Sequence, residues 1–392
     1  MNRCTAFERL AALRWQRSAG GCVLRVLVFA LLTLLPAVWA AAGPAHADAA
    51  RTLYISPTGS DLGSGLSPDT AWGTFEHAIS QLRPGDTLLL SSGTYTPGTS
   101  GLLTIDCARE GGNAVHGEPS RPIRVRAAAE RQALIASDGS KSPVSVLGCS
   151  YWTLEGLAAR SSDAGRARGG AVFRIRHSHH LLLRRLLASW PNRFRNAHGI
   201  AIGSSHHVTV EESEVYAYHR HGISVFKSHH VHVRRCYVNS RGQLDHPRGY
   251  ESDRPGGDES FVLYHSSDSI IENSIAEFET RGFEIHGGET FDGRPGGYRN
   301  RVLGSIHFTG HSGDHFGAGV DTRMGEGTDF IVRPAYDNLF KDFLVIDPSS
   351  TGAILRSAVG VRMENLTLYH GAGVGIRAME RSRRFFASRG KR

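Results

Sequence analysis

After about residue 142 the apolar and polar positions alternate in short runs with a period of two rather than the 3.6 of a helix. Ser178-His179-His180-Leu181-Leu182-Leu183 recurs as Ser205-His206-His207-Val208-Thr209-Val210 and as Ser228-His229-His230-Val231-His232-Val233. It returns more faintly as Ser267-Asp268-Ser269-Ile270-Ile271-Glu272. A second run keeps step with the first: Gly199-Ile200-Ala201-Ile202, Gly222-Ile223-Ser224-Val225, Ser260-Phe261-Val262-Leu263 and Gly282-Phe283-Glu284-Ile285, with later copies at Gly319-Val320 and Gly375-Ile376. The clearest copies are 23 residues apart. Short strands at such a period cannot bury their apolar face alone and must stack on copies of themselves. The fixed Leu and Asn of leucine-rich repeats are missing, and no helical pattern of crossover length separates the strands. The pattern predicts an all-β solenoid, a parallel β-helix of about nine to eleven coils over residues 51–380.

The N-terminus breaks this pattern. Five arginines up to Arg25 precede an apolar run from Val26 to Trp39, and small residues follow, ending Ala45-His46-Ala47. That order predicts a secretory signal cleaved after Ala47, and the run is shorter than the ~20 residues that span a bilayer. The expected organisation is a leader at 1–47, a cap and first coils at 48–142, repeats at 143–380 and a basic tail at 381–392. A secreted or periplasmic monomer without stable membrane insertion is expected.

Composition then removes one function class. The chain of 392 residues carries a formal charge of +8. The leader and the tail hold more than all of that excess, leaving 34 basic and 36 acidic residues between them. No basic groove for nucleic acid follows from such a balance. Beyond the leader three cysteines remain, Cys107, Cys149 and Cys236. Cys107 and Cys149 either bridge or stay buried thiols, the second being slightly favoured, and no pair has zinc-ligand spacing.

The segment ahead of the repeats reads Tyr54-Ile55-Ser56-Pro57-Thr58-Gly59-Ser60-Asp61, then Trp72-Gly73-Thr74-Phe75 and a short amphipathic helix at about 75–82. Arg83-Pro84-Gly85-Asp86-Thr87-Leu88 and Ser92-Gly93-Thr94-Tyr95 follow. It resembles the N-terminal cap of secreted right-handed β-helix proteins in the pectate-lyase-like superfamily, with the likeness running over residues 51–376. This implies a right-handed parallel β-helix whose first coil the helix covers. It leaves the reaction open, because lyases, hydrolases, epimerases and non-catalytic adhesins share that fold.

Seventeen of the twenty histidines beyond the leader fall between residues 177 and 315. The pairs His179-His180, His206-His207 and His229-His230 recur at the turn before a strand and are expected to stack, hydrogen bonding along the axis. A second column lies just before the other strand: His198, His221, Asp258-Glu259 and Arg281. With coils ~4.8 Å apart these form one ionisable row. Strict alternation from Ile200 would turn His198 inward, and Gly199 supplies the bend that keeps it out. Glu284 and Asp321 point outward beside the row, with Lys227, His265, His286 and Arg323 further along. Trp190, Tyr250, Phe291 and Tyr298, in polar loops, are placed to stack on sugar rings.

Gly257-Asp258-Glu259-Ser260-Phe261 looks like one of the two acidic stretches of family 28 polysaccharide hydrolases, with His198 and His221 in place of the other. The run Glu259-Ser260-Phe261-Val262-Leu263-Tyr264-His265-Ser266-Ser267, with Arg281-Gly282 downstream, is similar to polysaccharide lyases of the family 6 and 9 group. Tyr264-His265 stands where family 6 has Lys, and Gly282 where it has His; Lys227, one coil earlier, is the substitute. The resemblance implies β-elimination on an acidic, uronate-containing polysaccharide. His198, His221 or Lys227 would be the base, with Glu259 and Arg281 in the same catalytic row. Arg281, or a calcium held by Asp258, Glu259, Glu284 and Asp321, would neutralise the uronate carboxylate. Tyr264 or the second His would protonate the leaving oxygen, and Trp190, Tyr264, His286 and Arg323 would bind substrate. Two alternatives stand beside this. One is a hydrolase or epimerase, hydrolysis needing two carboxyls ~5–9.5 Å apart. The other is a non-catalytic carbohydrate-binding β-helix.

Overall fold

Along Leu181-Leu182-Leu183 the outer two side chains are buried and the middle one is not, as period-two alternation requires. This is a computed structural model, and it describes residues 49–108, 111–162, 170–189, 197–218, 220–240, 259–277, 281–308, 315–319, 335–346, 351–356, 358–369, 374–379 and 386–388. The strands pair in parallel, each with its counterpart in the next coil, into three sheets of 12, 10 and 10 strands. The chain is therefore a parallel β-helix. The leader lies outside the described residues. Phe386–Ser388, within the basic segment expected as a tail, adds a strand beside Arg362–Glu364.

Inside, each sheet contributes columns of like residues. One column runs Leu183, Val210, Val233, Ile271, Val302, Phe340 and Met363, each opposite the next and all buried. Burial of such a side chain contributes about 1.5–3 kcal/mol, and only the neighbouring coils make it possible. Small polar residues satisfy the backbone at the corners. Ser178, Ser205, Ser228 and Ser266 each accept, through Oγ, the backbone N–H of the preceding coil's residue at 3.0–3.1 Å. Asn300 and Asn338 do likewise in a second column.

The turns between sheets recur with single residues in the left-handed region. His177, Ser204, Lys227 and His265 hold φ of 48–52°, and His180, His207 and His230 hold 52–54°. Left-handed backbone costs a non-glycine residue roughly 1–2 kcal/mol. Here the amides find partners in the next coil, as Lys227 N–H does in the Tyr264 carbonyl at 2.9 Å.

Helix α1 (Phe75–Ser80) buries Phe75, Ala78 and Ile79 in the core of the first coils, and its N-cap Thr74 accepts from His77 N–H. Cys107 and Cys149 form a disulfide, against the slight preference of the sequence for two thiols. Their strand ends stand on adjacent coils and bring the Cα atoms to 5.0 Å, well within reach of a bridge. Cys236 is a buried thiol whose pKa burial pushes up to about 12.

Five consecutive strands of one sheet concern function: β1 (Gly170–Arg176), β2 (Ala197–Gly203), β3 (His221–Phe226), β4 (Glu259–Tyr264) and β5 (Arg281–His286). Each pairs with the next. Beyond β5 a hairpin closed by Gly288–Glu289 and Pro295–Gly296 folds back to Lys227, whose carbonyl accepts from Phe291 N–H at 3.0 Å.

Candidate active site

The site exists because alternation fails at one position. A Cβ on Gly199 would lie 2.2 Å from Val215 Cγ1, and one on Gly222 2.2 Å from Val238 Cγ1. Both glycines thus face the interior, as do the buried Ile200 and Ile223 that follow them. Ser260 is buried at the same place in β4. Gly282 holds it in β5, where a Cβ would meet His307 at 2.4 Å. Two successive inward residues flip the parity, so His198, His221, Glu259 and Arg281 stand in register at the lip of the sheet. The glycine bend expected from the sequence is what places the row.

Within the row the charges are ordered. His221 Nδ1 meets Glu259 Oε2, and Arg281 donates to Glu259 Oε1 at 2.5 Å. Glu259 is only 1% exposed and His221 4%. Burial would raise the Glu259 pKa, but His221 and Arg281 overcome it and hold the carboxyl well below its ordinary range. On the other side His198 stacks at 4.7 Å, tilted by 51°, and its Nδ1 is 2.9 Å from Ser224 Oγ. Burial first, then the proximity of the His221 ring and the Arg220 guanidinium, pushes the His198 pKa far below that of a free imidazole, so this ring is neutral. The order along the axis is neutral imidazole, imidazole on carboxylate, carboxylate, guanidinium.

His198 and His221 open into a groove of about 480 Å³ across the outer face of β1 to β4. Ala201 and Gly203 form its floor, and Arg174, Arg176, Arg220, Ser224, Phe226 and Tyr264 are among its walls. Its lining carries guanidinium and imidazole groups and, among the described residues, no carboxylate.

The structure distributes the expected site residues unevenly. It brings together His198, His221, Glu259 and Arg281. Arg281, however, is spent on Glu259 and does not line the groove. Lys227 takes the left-handed turn position past the end of β3, six residues beyond His221, hence about 20 Å away along the strand. Its ammonium sits 5.6 Å from the Phe226 ring, so it does not join the row. Tyr264 lines the far end of the groove between Phe226 and His286, five residues from the row and too distant to protonate a group held at His221. His286 is buried against Tyr264, with Nε2 3.9 Å from Glu284 Oε2. Trp190, Asp258, Asp321 and Arg323 lie outside the described residues, as does Tyr250.

The two described calcium candidates do not converge. Both Glu259 oxygens are engaged by His221 and Arg281, and Glu284 lies three residues further along the neighbouring strand. Among the described residues no three His, Cys, Asp or Glu are grouped as metal ligands. Phe291, expected to stack on a sugar, instead lies parallel to His229 and His206 at 5.5 and 6.1 Å. Arg174, Arg176, Arg220 and Ser224 were missed from the sequence. The alternation of Phe173-Arg174-Ile175-Arg176 about a buried Ile175 was the available signal for two of them.

No family model matches the chain, and no curated protein matches it. Among solved structures it is similar to an alginate lyase from Paenibacillus sp. strain FPU-7, with a TM-score of 0.52 and 12% identity over 85% of this chain and 99% of that one. A rhamnogalacturonan lyase aligns with a TM-score of 0.49 and 16% identity over 75% of this chain and 82% of that one. The pectate lyase Pel9A gives 0.46 and 15% over 78% and 77%. At these identities the likeness is one of fold.

Proposed function

We propose that this protein is a polysaccharide lyase that cleaves a uronate-containing chain by β-elimination, with His221 as the base. One observation carries the reading: a groove without a described carboxylate, walled by arginines, into which an imidazole backed by a buried carboxylate opens. Direct hydrolysis asks for two carboxyls facing the bond, and neither Glu259 nor Glu284 lines the groove.

The roles follow from position. Glu259 holds Nδ1–H of His221, which leaves the Nε2 lone pair free to take a proton, so Glu259 is a positioning residue. Arg281 keeps Glu259 ionised from behind. The C5 proton of the uronate passes to His221 Nε2 while the C5–H electrons form the C4–C5 double bond. The C4–O bond breaks, and its oxygen leaves with the electron pair. His198, accepting a hydrogen bond from the Ser224 hydroxyl at Nδ1, keeps its proton on Nε2 and donates a hydrogen bond to that oxygen as charge develops; the oxygen takes its proton from solvent, and His221 returns the C5 proton to solvent. Arg220, beside His221 in the groove, faces the carboxylate on which negative charge develops. This assignment moves the neutralising role from Arg281 to Arg220 and routes no step through calcium.

The reading is tested by incubating the mature protein with polygalacturonate, polymannuronate and chondroitin sulfate and following the absorbance of unsaturated ends. Such ends are expected from one of them. Reducing ends without unsaturation would mean hydrolysis, and no new ends from any substrate would remove the enzyme reading.

A further inference from the structure

Several described arginines that project from this solenoid meet an acid on another coil. Arg131 reaches Glu214 at 2.6 Å, Arg235 reaches Glu212 at 2.8 Å, and Arg299 reaches Asp268 at 2.7 Å. Arg174 and Arg176 do not. They point outward from β1 two residues apart, so their Cα atoms are about 6.6 Å apart on one face. Their neighbours on the coil before are Ser145 and Leu147, and on the coil after Ala201 and Gly203. The first carboxylate in that column, Asp106, is two coils away and accepts from Ala108 N–H. Neither arginine makes an ion pair with a described residue. Two guanidiniums so placed repel each other, and burial and Arg176 lower the pKa of Arg174.

The floor beside them is empty by sequence. Ala201 and Gly203 offer no side chain beyond a methyl, and a Cβ built on Gly203 would come no closer than 3.8 Å to Arg176 Nε. The pair therefore overlooks an open trough that leads along β2 to His198. Arg174 lies three residues along the strand and one coil across from His198, about 11 Å away. That is further than one sugar ring reaches.

We propose that Arg174 and Arg176 form an anion subsite that grips the carboxylate of a neighbouring uronate while Arg220 and His221 act on the reacting one. The inference rests on the lyase reading for its orientation, but the subsite stands on two guanidiniums that meet no carboxylate among the described residues. Its consequence is a requirement for acidic groups on more than one sugar of the chain. Two planar forks bind a carboxylate or a sulfate bidentately, which a single lysine cannot do.

The test is calorimetric binding in a His221→Ala background, so that no probe is cleaved, using polygalacturonate, fully methyl-esterified polygalacturonate and chondroitin sulfate. Arg174→Gln/Arg176→Gln is expected to weaken polygalacturonate binding at least tenfold and to flatten its salt dependence, with the esterified polymer unaffected. A second variant keeps both arginines: Gly203→Asp places a carboxylate beside Arg176 without a clash and should weaken the same binding. Loss confined to chondroitin sulfate would assign the subsite to sulfate esters instead of carboxylates. Unchanged affinity and salt slope in both variants, or no binding of any probe by the parent, would overturn the proposal. Binding that depends on the arginines, with no unsaturated ends from the unmutated protein, would leave the subsite and remove the lyase.

Discussion

Two columns of histidines climb this solenoid, and they are built for opposite ends. At the turn, His179, His206 and His229 stack face to face at 4.9–5.0 Å, and His180, His207 and His230 at 4.8–4.9 Å, all nearly parallel. Their hydrogen bonds run across each pair, Nδ1 to Nδ1 at 2.8–2.9 Å, not along the axis as the sequence suggested. Such a contact holds one proton between two nitrogens, so a pair cannot accept a full second charge without breaking. Burial and the neighbouring imidazoles lower the pKa of His206 to about 4. At the lip of the sheet His221 has a buried carboxylate instead of a second imidazole on Nδ1. The same side chain is a neutral packing ring in one column and an oriented base in the other. The difference lies in what the next coil supplies.

Exchanging that partner should have the largest effect. Glu259→Ala leaves the buried His221 and the half-buried Arg281 without their carboxylate and should cost about 3–5 kcal/mol of stability by denaturant titration. Glu259→Gln keeps the shape but frees the tautomer of His221. It should lower kcat by more than tenfold with little change in KM, and equal loss in KM would place Glu259 against substrate instead.

Arg281→Lys separates a positioning role from a binding one. It keeps a cation near Glu259 but loses the fork, and a severalfold fall in kcat with unaltered KM is expected. A rise in KM alone would return Arg281 to the substrate carboxylate.

The turn column answers through stability and pH. His206 is held at about 4 against 6.5 when free, so the unfolded chain takes the proton first. The ladder's contribution is complete above about pH 6.5 and drains away as the pH falls towards 4. Thermal unfolding across that window should show it, with the neighbouring His116, Asp292 and Arg294 unchanged as controls, and His206→Phe should blunt it. Smallest of all should be the effect of a chelator, which is expected to leave turnover on a polyuronate within about twofold. A tenfold loss would restore a metal to the site.

Much of this was legible beforehand, and the reason is repetition. Copies 23 residues apart display inward and outward positions three and four times over, so the fold, the two columns and the bend at Gly199 could be read directly. What could not be read was the allocation of charge. Arg281 and Arg174 look alike in sequence, yet one is spent on Glu259 and the other stands between Ser145 and Ala201, because only the stacked register decides which carboxylate stands opposite. Lys227 failed for a related reason. Its single step past β3 is a step into a left-handed turn, which alternation does not reveal.

Replacing one histidine from each column and measuring both proteins on the same polyuronate separates the two roles most directly. His221→Ala should lose about 10²–10⁴ in turnover while unfolding as a cooperative β-helix. His207→Ala should lose on the order of 1 kcal/mol of stability and keep turnover within about twofold. Comparable activity in the two variants would contradict the assignment of the base to the lip of the sheet.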